Sequence, residues 1–408
     1  MVGLYRLIGW RNFAIILTAD TLSNSGLWFG ILANLQFLQM TVPSDFVRSL
    51  ILVAGPVLGI LISPKAGVVI DRHAKKRVLM VSSLLQLASA VMMMTAMYLQ
   101  SVPLMVAGLL IANVGNSLYI PTLQSVIPMV VRKEHLVRAN AAYSNLVTMT
   151  RIGATAVAGL LLTVLPLYGM YIAVFLFYCV MTAFRYLLRF EEQPANSFNQ
   201  AKQKISFFEV FPLLRATPPL LFVIAAGTLV FLFLGGFNLL ILKFSETQND
   251  PALKGWLYTI EGIFVLIGGF AVRKWFSGGD LLRRSVFLLA GVAASIFLMH
   301  FADQQWEVMA GFGLFGLMLG AWSPMQAVIP QLLVPEDIRG RYFALQAMWN
   351  RTMFQLALLL TGAMLDLIGL AHYLLVLSIV IFAGFLVMLV SITQQKLRVE
   401  SPRQNVAV

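Results

Sequence analysis

Four ionisable residues lie well inside long apolar runs: Asp20, Arg151, Glu261 and Arg351. Each costs about 2.5–3.5 kcal/mol to place in hydrocarbon on insertion scales, so such residues face a bundle interior or a cavity and carry a function or a partner. A carboxyl there can bind and release a proton, and a guanidinium can hold it or hold an anionic group. Asp20 shares one helical face with Asn24, Leu27, Ile31 and Asn34, at spacings of four, seven, eleven and fourteen. Its functional reading is a proton or cation-substrate site. Its bland reading is a structural ion pair or a polar bond between helices. Arg151 shares a face with Ser144, Thr148 and Thr155 and is expected to pair, with Asp20 as a candidate partner. Glu261 is read in three ways: a carrier of the coupling proton, a gate with Arg151, or an acid that snorkels to the outer interface. Arg351, with Gln355 one turn on, is an anchor for carbonyls or for Glu261. Arg185 near the end of the sixth run is expected to snorkel.

The elements that must position these residues follow from composition. Of 408 residues, 59% are hydrophobic and only 11% are charged, against about 25% charged in soluble domains. Apolar runs recur at roughly the 20 residues a bilayer requires. The ten-residue alternation of a membrane barrel is absent. Twelve spans are predicted, near 12–40, 47–70, 78–99, 103–131, 138–164, 168–190, 219–243, 253–274, 284–302, 306–333, 340–365 and 370–393. Arg6 and Arg11 precede the first run, which is too long for a signal-peptide core and is expected to stay as a span. Basic residues crowd one set of loops, among them Arg72, Lys75, Lys76, Arg77, Arg283, Arg284, Arg339 and Arg341. The opposite set offers little beyond Arg48, Lys243 and Lys254. The positive-inside bias then places both termini in the cytoplasm of a cell-membrane protein. The net charge of +12 reflects these scattered loop residues, and no basic patch with interleaved aromatics points to nucleic acid. Cys179 stands alone, so no internal disulfide forms.

Residues 191–218 are the longest polar stretch and read as a cytoplasmic linker between two six-helix bundles, 1–190 and 219–395, with a tail at 396–408. Within the linker, Phe207, Phe208, Val210 and Phe211 suggest a short amphipathic helix on the membrane surface. Gln124-Ser-Val-Ile-Pro128 recurs as Gln326-Ala-Val-Ile-Pro330, an offset of 202 residues. At the same offset Glu134 meets Glu336 and Gly67 meets Gly269, although Asp71 meets Arg273. A half-length repeat implies two homologous bundles. Gly235-Gly236, Gly268-Gly269 and Gly311-x-Gly313 are candidates for close helix packing.

Gly67-x-x-x-Asp71-Arg72-x-x-Lys75-Lys76, between the second and third spans, resembles the signature loop of the major facilitator superfamily. Ala74 stands where that family usually has Gly. The stretch Ile127-Pro-x-x-Val-x-x-Glu134-x-Leu136-x-x-Ala139-Asn140-Ala resembles the loop into span five of the macrolide-efflux-like drug:proton antiporter branch, and Pro335–Arg341 resembles its counterpart. The Gly-Pro of that branch is replaced by Gly153-Ala154, and the Arg usual in span four of many proton-coupled members is absent, with Asn113 and Asn116 in its region. The resemblance implies an all-α membrane protein of twelve helices in two pseudo-symmetric six-helix bundles, working by alternating access. It also implies a conformational latch in Gly67, Asp71, Arg72, Lys75 and Lys76, with Arg339 and Arg341 near its partner region.

Asn24, Trp28, Asn34, Asn116, Tyr119, Trp322 and Trp349 are candidates for a substrate cavity with adaptable aromatic walls. The function expected is secondary active transport, the proton-coupled efflux of amphipathic drugs or similar small molecules. Export or flipping of one metabolite, siderophore or lysolipid is the alternative. A channel or a membrane-embedded enzyme is disfavoured: no Gly-x-x-x-x-Gly-Lys-[Ser/Thr] loop, no His-Glu-x-x-His and no filter loop occur. The expected partners are a small-molecule substrate, protons and the lipid bilayer. No cofactor, metal or catalytic residue is expected, and the chain is expected to act as a monomer.

Overall fold

The structure, a computed structural model, describes residues 2–132, 135–189, 210–275 and 279–400, with backbone alone at 2–10, 137, 273–275 and 337. Glu134, Phe207, Phe208, most of the linker and the tail beyond 400 lie outside the described residues, as do the side chains of Arg6 and Arg273. The helices are α1 (Val2–Thr41), α2 (Asp45–Arg72), α3 (Lys75–Tyr98), α4 (Val102–Val130), α5 (Leu136–Val164), α6 (Leu167–Tyr186), a short α7 (Val210–Ala216), α8 (Pro218–Thr247), α9 (Leu253–Trp275), α10 (Leu281–His300), α11 (Gln305–Leu333) and α12 (Glu336–Gln394). Eleven are long and apolar enough to cross a membrane. The last is broken at Gly369, where φ is 75° and ψ is 172°, so it supplies two crossing segments, which makes twelve among the described residues. A residue with a side chain adopts that φ only under strain, and glycine makes the bend free of it. Helical structure throughout is what hydrocarbon demands, because each backbone N–H and C=O must find its partner inside the segment.

Several helices end in the same way. Gln100, Asn249 and Lys396 take positive φ. The next amide then reaches back across the last turn: Ser101 to Ala96, Asp250 to Ser245 and Leu397 to Ile392, at 2.9–3.1 Å. This closure satisfies the terminal carbonyls and allows short connections between antiparallel neighbours.

The chain divides into two compact units, Met1–Pro43 with Leu50–Gln200, and Ser44–Ser49 with Ala201–Val408. In the first, α1 and α6 lie antiparallel in a fixed register. Asn12 exchanges hydrogen bonds with the backbone of Arg189. Gly26 lies against the Tyr178 ring, Phe29 meets Phe177 edge-on, and the Tyr171 hydroxyl donates to Asn34 Oδ1 at 3.0 Å. Polar rungs bracket the two apolar ones, and they fix the register because a one-residue slip would strand them in an apolar interior. Asn34 is thus part of the packing between helices and does not line open space. α3 packs on α4 and α6, with Ser89 donating to the Gly108 carbonyl at 2.8 Å.

In the second unit α8 packs on α12, α10 on α11 and α12, and α9 on α11. The α9–α11 contact is backbone against backbone: Gly268 abuts Leu317, Gly316 abuts the Glu261 carbonyl and Gly320 abuts the Val265 carbonyl, with no room for a Cβ at any of them. Small residues four apart on α11 are what permit this approach. Trp322 is buried in the core of this unit with Met325, Ile329 and Val223. The short helix expected within the linker is α7, but its apolar residues Val210 and Leu214 are buried against Leu220, Val334 and Tyr342, so that face packs on protein and not on lipid. Residues just beyond α12 are anchored as well. Asp280 Oδ1 accepts from the amides of Leu282 and Val399, and the Val399 side chain is buried.

The repeat seen in sequence has a counterpart in helix register. Trp28 on α1 meets Arg151 on α5, and Gly227 on α8 meets Asn350 on α12. Each pair is 123 residues apart, so the first helix of each unit runs alongside the fifth at the same offset. Replacing Gly320 by Ala forces α9 from α11, an overpacking that costs about 1–3 kcal/mol. A lower thermal unfolding midpoint of the purified protein is the expected result.

Candidate functional site

Asp20 sits near the middle of α1 and is 2% exposed. Its charge partner is Arg185, also 2% exposed, at an N–O distance of 3.9 Å. The expectation that Arg185 snorkels is therefore corrected, and so is the candidate pairing of Asp20 with Arg151. The physical reason lies in helix geometry. A Cα–Cβ bond tilts toward the helix N-terminus, so a residue in the last turn of α6 points back along the helix and into the bundle.

Arg185 is held from several sides. It donates to Ser83 Oγ at 2.8 Å and to Gln86 Oε1 at 3.4 Å on α3. Its guanidinium carbon lies 4.0 Å from the centroid of the Tyr119 ring on α4, a cation–π geometry that strengthens when desolvated. Gln86 in turn donates to Asn116 Oδ1 at 2.9 Å. The Tyr143 hydroxyl, on α5, faces the Asp20 carboxyl. Five helices of one unit thus converge on one ion pair.

Three atoms of this cluster have no hydrogen-bond partner of normal geometry: Asp20 Oδ2, Arg185 Nη2 and the Tyr119 hydroxyl. An unmet buried polar atom costs about 1–3 kcal/mol, more when charged. The pair is thus electrostatically close but incompletely satisfied, which is the arrangement a proton or a polar ligand can complete. Tyr119 and Asn116, read from sequence as cavity residues, serve here as supports of Arg185. Asn24 donates to the Asp20 backbone carbonyl at 2.9 Å within its own helix.

Arg151 lies 5.9 Å from the Trp28 ring centroid and is half-buried. Glu261 is 4% exposed, so the reading of a snorkelling acid does not hold: its turn of α9 is pressed against Gly316 of α11. Arg351 is exposed on α12. Trp349 is exposed too, and its indole N–H donates to Thr228 Oγ1 at 2.8 Å. In the signature loop, α2 ends at Arg72 and α3 begins at Lys75. The Lys75 ammonium donates to the Ile70 carbonyl at 2.5 Å, where a cation meets the negative end of the helix dipole. Lys76 lies 5.4 Å from the Tyr186 centroid, and Gly67 and Asp71 show no tight packing, with Asp71 exposed. Arg339 bonds the Val334 carbonyl at 3.3 Å and lies 3.8 Å from Glu336.

Sequence reasoning missed a second charged cluster, inside the second unit. Arg48 bonds Asp45 and Glu246, each at 2.7 Å, and Lys243 reaches Asp45 at 2.8 Å and Glu246 at 3.3 Å. Asp366 accepts from Ser44 Oγ and from the amides of Asp45 and Phe46 at 2.6–3.0 Å, capping the start of α2. Lys254, fully buried, donates to Ser245 Oγ at 2.7 Å. These are the three cations that stood out of place in the loop count. The signal that could have found Arg48 and Lys243 is the spacing of three between Asp45 and Arg48 and between Lys243 and Glu246.

The family model for the Major Facilitator Superfamily matches residues 6–357. The chain belongs to the major facilitator superfamily. Among curated relatives, the uncharacterized MFS-type transporter YfiS of Bacillus subtilis (strain 168) is 21% identical over 356 residues, covering 82% of each chain. Macrolide efflux protein A of Streptococcus pyogenes is 22% identical over 363 residues, covering 84% of this chain and 86% of the relative. Among solved structures, a bacterial homologue of the iron transporter ferroportin in an inward-facing state aligns with a TM-score of 0.73, at 17% identity, over 95% of this chain and 99% of that one. A POT family transporter in complex with a peptide conjugate aligns at 0.75, with 11% identity, over 94% and 96%. At such identities these structures are alike in fold alone. The fold and the relatives are those of multi-pass membrane transporters of the major facilitator superfamily and not of enzymes.

Removing one partner of the Asp20–Arg185 pair leaves a buried charge uncompensated, which costs about 3–5 kcal/mol, whereas removing both costs less. A double-mutant cycle of Asp20→Asn and Arg185→Gln, read by chemical unfolding, is expected to show the double variant more stable than Arg185→Gln alone.

Proposed function

We propose that this major facilitator protein exports amphipathic small molecules in exchange for protons, with Asp20 as a proton carrier. The observation that carries the reading is the buried Asp20–Arg185 pair at 3.9 Å, in which Asp20 Oδ2 and Arg185 Nη2, the nitrogen facing Asp20 Oδ1, both lack a hydrogen bond. A proton bound at Asp20 neutralises the carboxylate and removes its hold on Arg185. Ser83, Gln86 and the Tyr119 ring then remain as the guanidinium's partners. Loss of the proton restores the pull. One proton thus changes the balance among α1, α3, α4 and α6, which is the differential interaction a two-state transporter needs. The likeness to macrolide efflux proteins supports export as the direction and amphipathic compounds as the cargo. Glu261, buried on α9, is the second candidate carrier, and Asp71 is read as part of the conformational latch.

The test is efflux of a lipophilic dye from proteoliposomes with and without an imposed proton gradient. Asp20→Asn is expected to abolish gradient-driven efflux while gradient-independent exchange of dye across the membrane persists. Glu261→Gln is expected to lower the driven rate as well. Wild-type driven efflux in Asp20→Asn, or wild-type transport that ignores collapse of the gradient, would remove the proton from the mechanism.

A further inference from the structure

At the end of the second unit where α10 begins, three arginines flank one turn of backbone, Gly279–Leu281. Arg283 and Arg284 lie in the first turn of α10. Arg398 is brought beside them from beyond α12. The Leu281 amide donates to the Val399 carbonyl at 2.8 Å, the Val399 amide donates to Asp280 Oδ1 at 3.1 Å, and the Val399 side chain is buried, so Arg398 is held at a fixed place. Arg284 folds back over the turn: a Cβ built on Gly279 would lie 2.5 Å from its Nη2. Its Nη1 is buried and has no hydrogen-bond partner among the described residues. Arg283 and Arg398 are exposed. Among the described residues no carboxylate pairs with any of the three. Asp280 accepts instead from the amides of Leu282, Arg283 and Val399, and Glu400 is exposed. Toward the apolar part of α10, the Arg283 guanidinium lies 5.9 Å from the Phe287 ring centroid. Phe287 meets Phe385 of α12 at 5.8 Å, and Phe385 meets Phe382 at 5.6 Å. Phe287 is 48% exposed and Phe382 47%, so an open aromatic surface runs from the arginines onto the lipid-facing side of both helices.

We propose that Arg283, Arg284 and Arg398 bind the phosphate of an anionic phospholipid whose acyl chain lies on Phe287 and Phe382. Guanidinium forks match the oxygens of a phosphate diester. A phosphate oxygen also meets the Arg284 N–H that the protein leaves unmet. The amides that open α10 are already capped by Asp280, so the attraction comes from the side chains. A zwitterionic lipid carries the same phosphate beside a cation that three arginines repel, so net charge selects the anionic headgroup. The aromatic surface begins one helical turn from Arg283. It holds a hydrocarbon chain tethered to the phosphate and offers nothing to a soluble phosphate ester.

The test uses the full chain in detergent, with phosphatidylglycerol or phosphatidylcholine titrated in and counted on the protein by native mass spectrometry. Phosphatidylglycerol is expected to bind one site more tightly than phosphatidylcholine does. Arg283→Gln and Arg398→Gln change exposed side chains and leave the fold intact. Each is expected to weaken phosphatidylglycerol about 5-fold, the contribution of one basic residue at an anionic headgroup, with phosphatidylcholine unmoved. Arg284→Gln is expected to weaken it as well, and Phe287→Ala to weaken both lipids. Arg77→Gln, an exposed arginine of the first unit, is expected to change nothing. Equal affinity for the two lipids overturns the proposal. So does an anionic preference that survives in Arg283→Gln and Arg398→Gln, or one that falls as far in Arg77→Gln, which marks diffuse surface attraction. Displacement of phosphatidylglycerol by an equal concentration of glycerol 3-phosphate assigns the arginines to a soluble ester and overturns the lipid. Binding is read without transport, so neither outcome bears on the export reading.

Discussion

A charge taken out of water must be met by an opposite charge and by hydrogen bonds, or the fold carries an uncompensated ion. Two places in this chain obey that constraint differently. Around Arg48 and Asp45 the charges are closely bonded, with contacts of 2.7–2.8 Å and a carboxylate capping the helix start. Around Asp20 the pair is looser, at 3.9 Å, with orphan atoms on both partners. The first arrangement suits a structural clamp. The second suits a site whose charge state changes during work.

The two units apply one helix register to different chemistry. At the same offset between first and fifth helix, the N-terminal unit sets Arg151 against Trp28 and the C-terminal unit sets an amide against a glycine. The side chains at this repeated register thus differ between the two units. The glycine contacts of α9 and α11 serve a different end. They join two helices at backbone distance and bury Glu261 against Gly316.

Much of the fold was legible in sequence, because hydrocarbon admits few solutions and the apolar runs mark each span. The break at Gly369 falls between the last two predicted spans, and the signature residues fall at the α2–α3 turn. Less of the site was legible. Counting along the chain put Arg185 near a helix end and so near water, but side-chain tilt turns it inward. Asp20 stood out because its run made it expensive, yet its partner was invisible without the α1–α6 register set by Asn12, Tyr178 and Tyr171. Arg48 and Lys243 read as residual loop charges because the acids they share, Asp45 and Glu246, come from two separate helices, α2 and α8. Long-range convergence of this kind leaves no local pattern beyond the spacing of three within two of the pairs.

Whether Asp20 binds the coupling proton is open to direct observation. Infrared difference spectra of the full chain in lipid, recorded between high and low pH, report carbonyl bands of newly protonated carboxyls. A band that appears on acidification, is lost in Asp20→Asn and survives in Asp71→Asn is the predicted result. A set of protonated-carboxyl bands identical in the wild type and Asp20→Asn would contradict the assignment of the proton to Asp20.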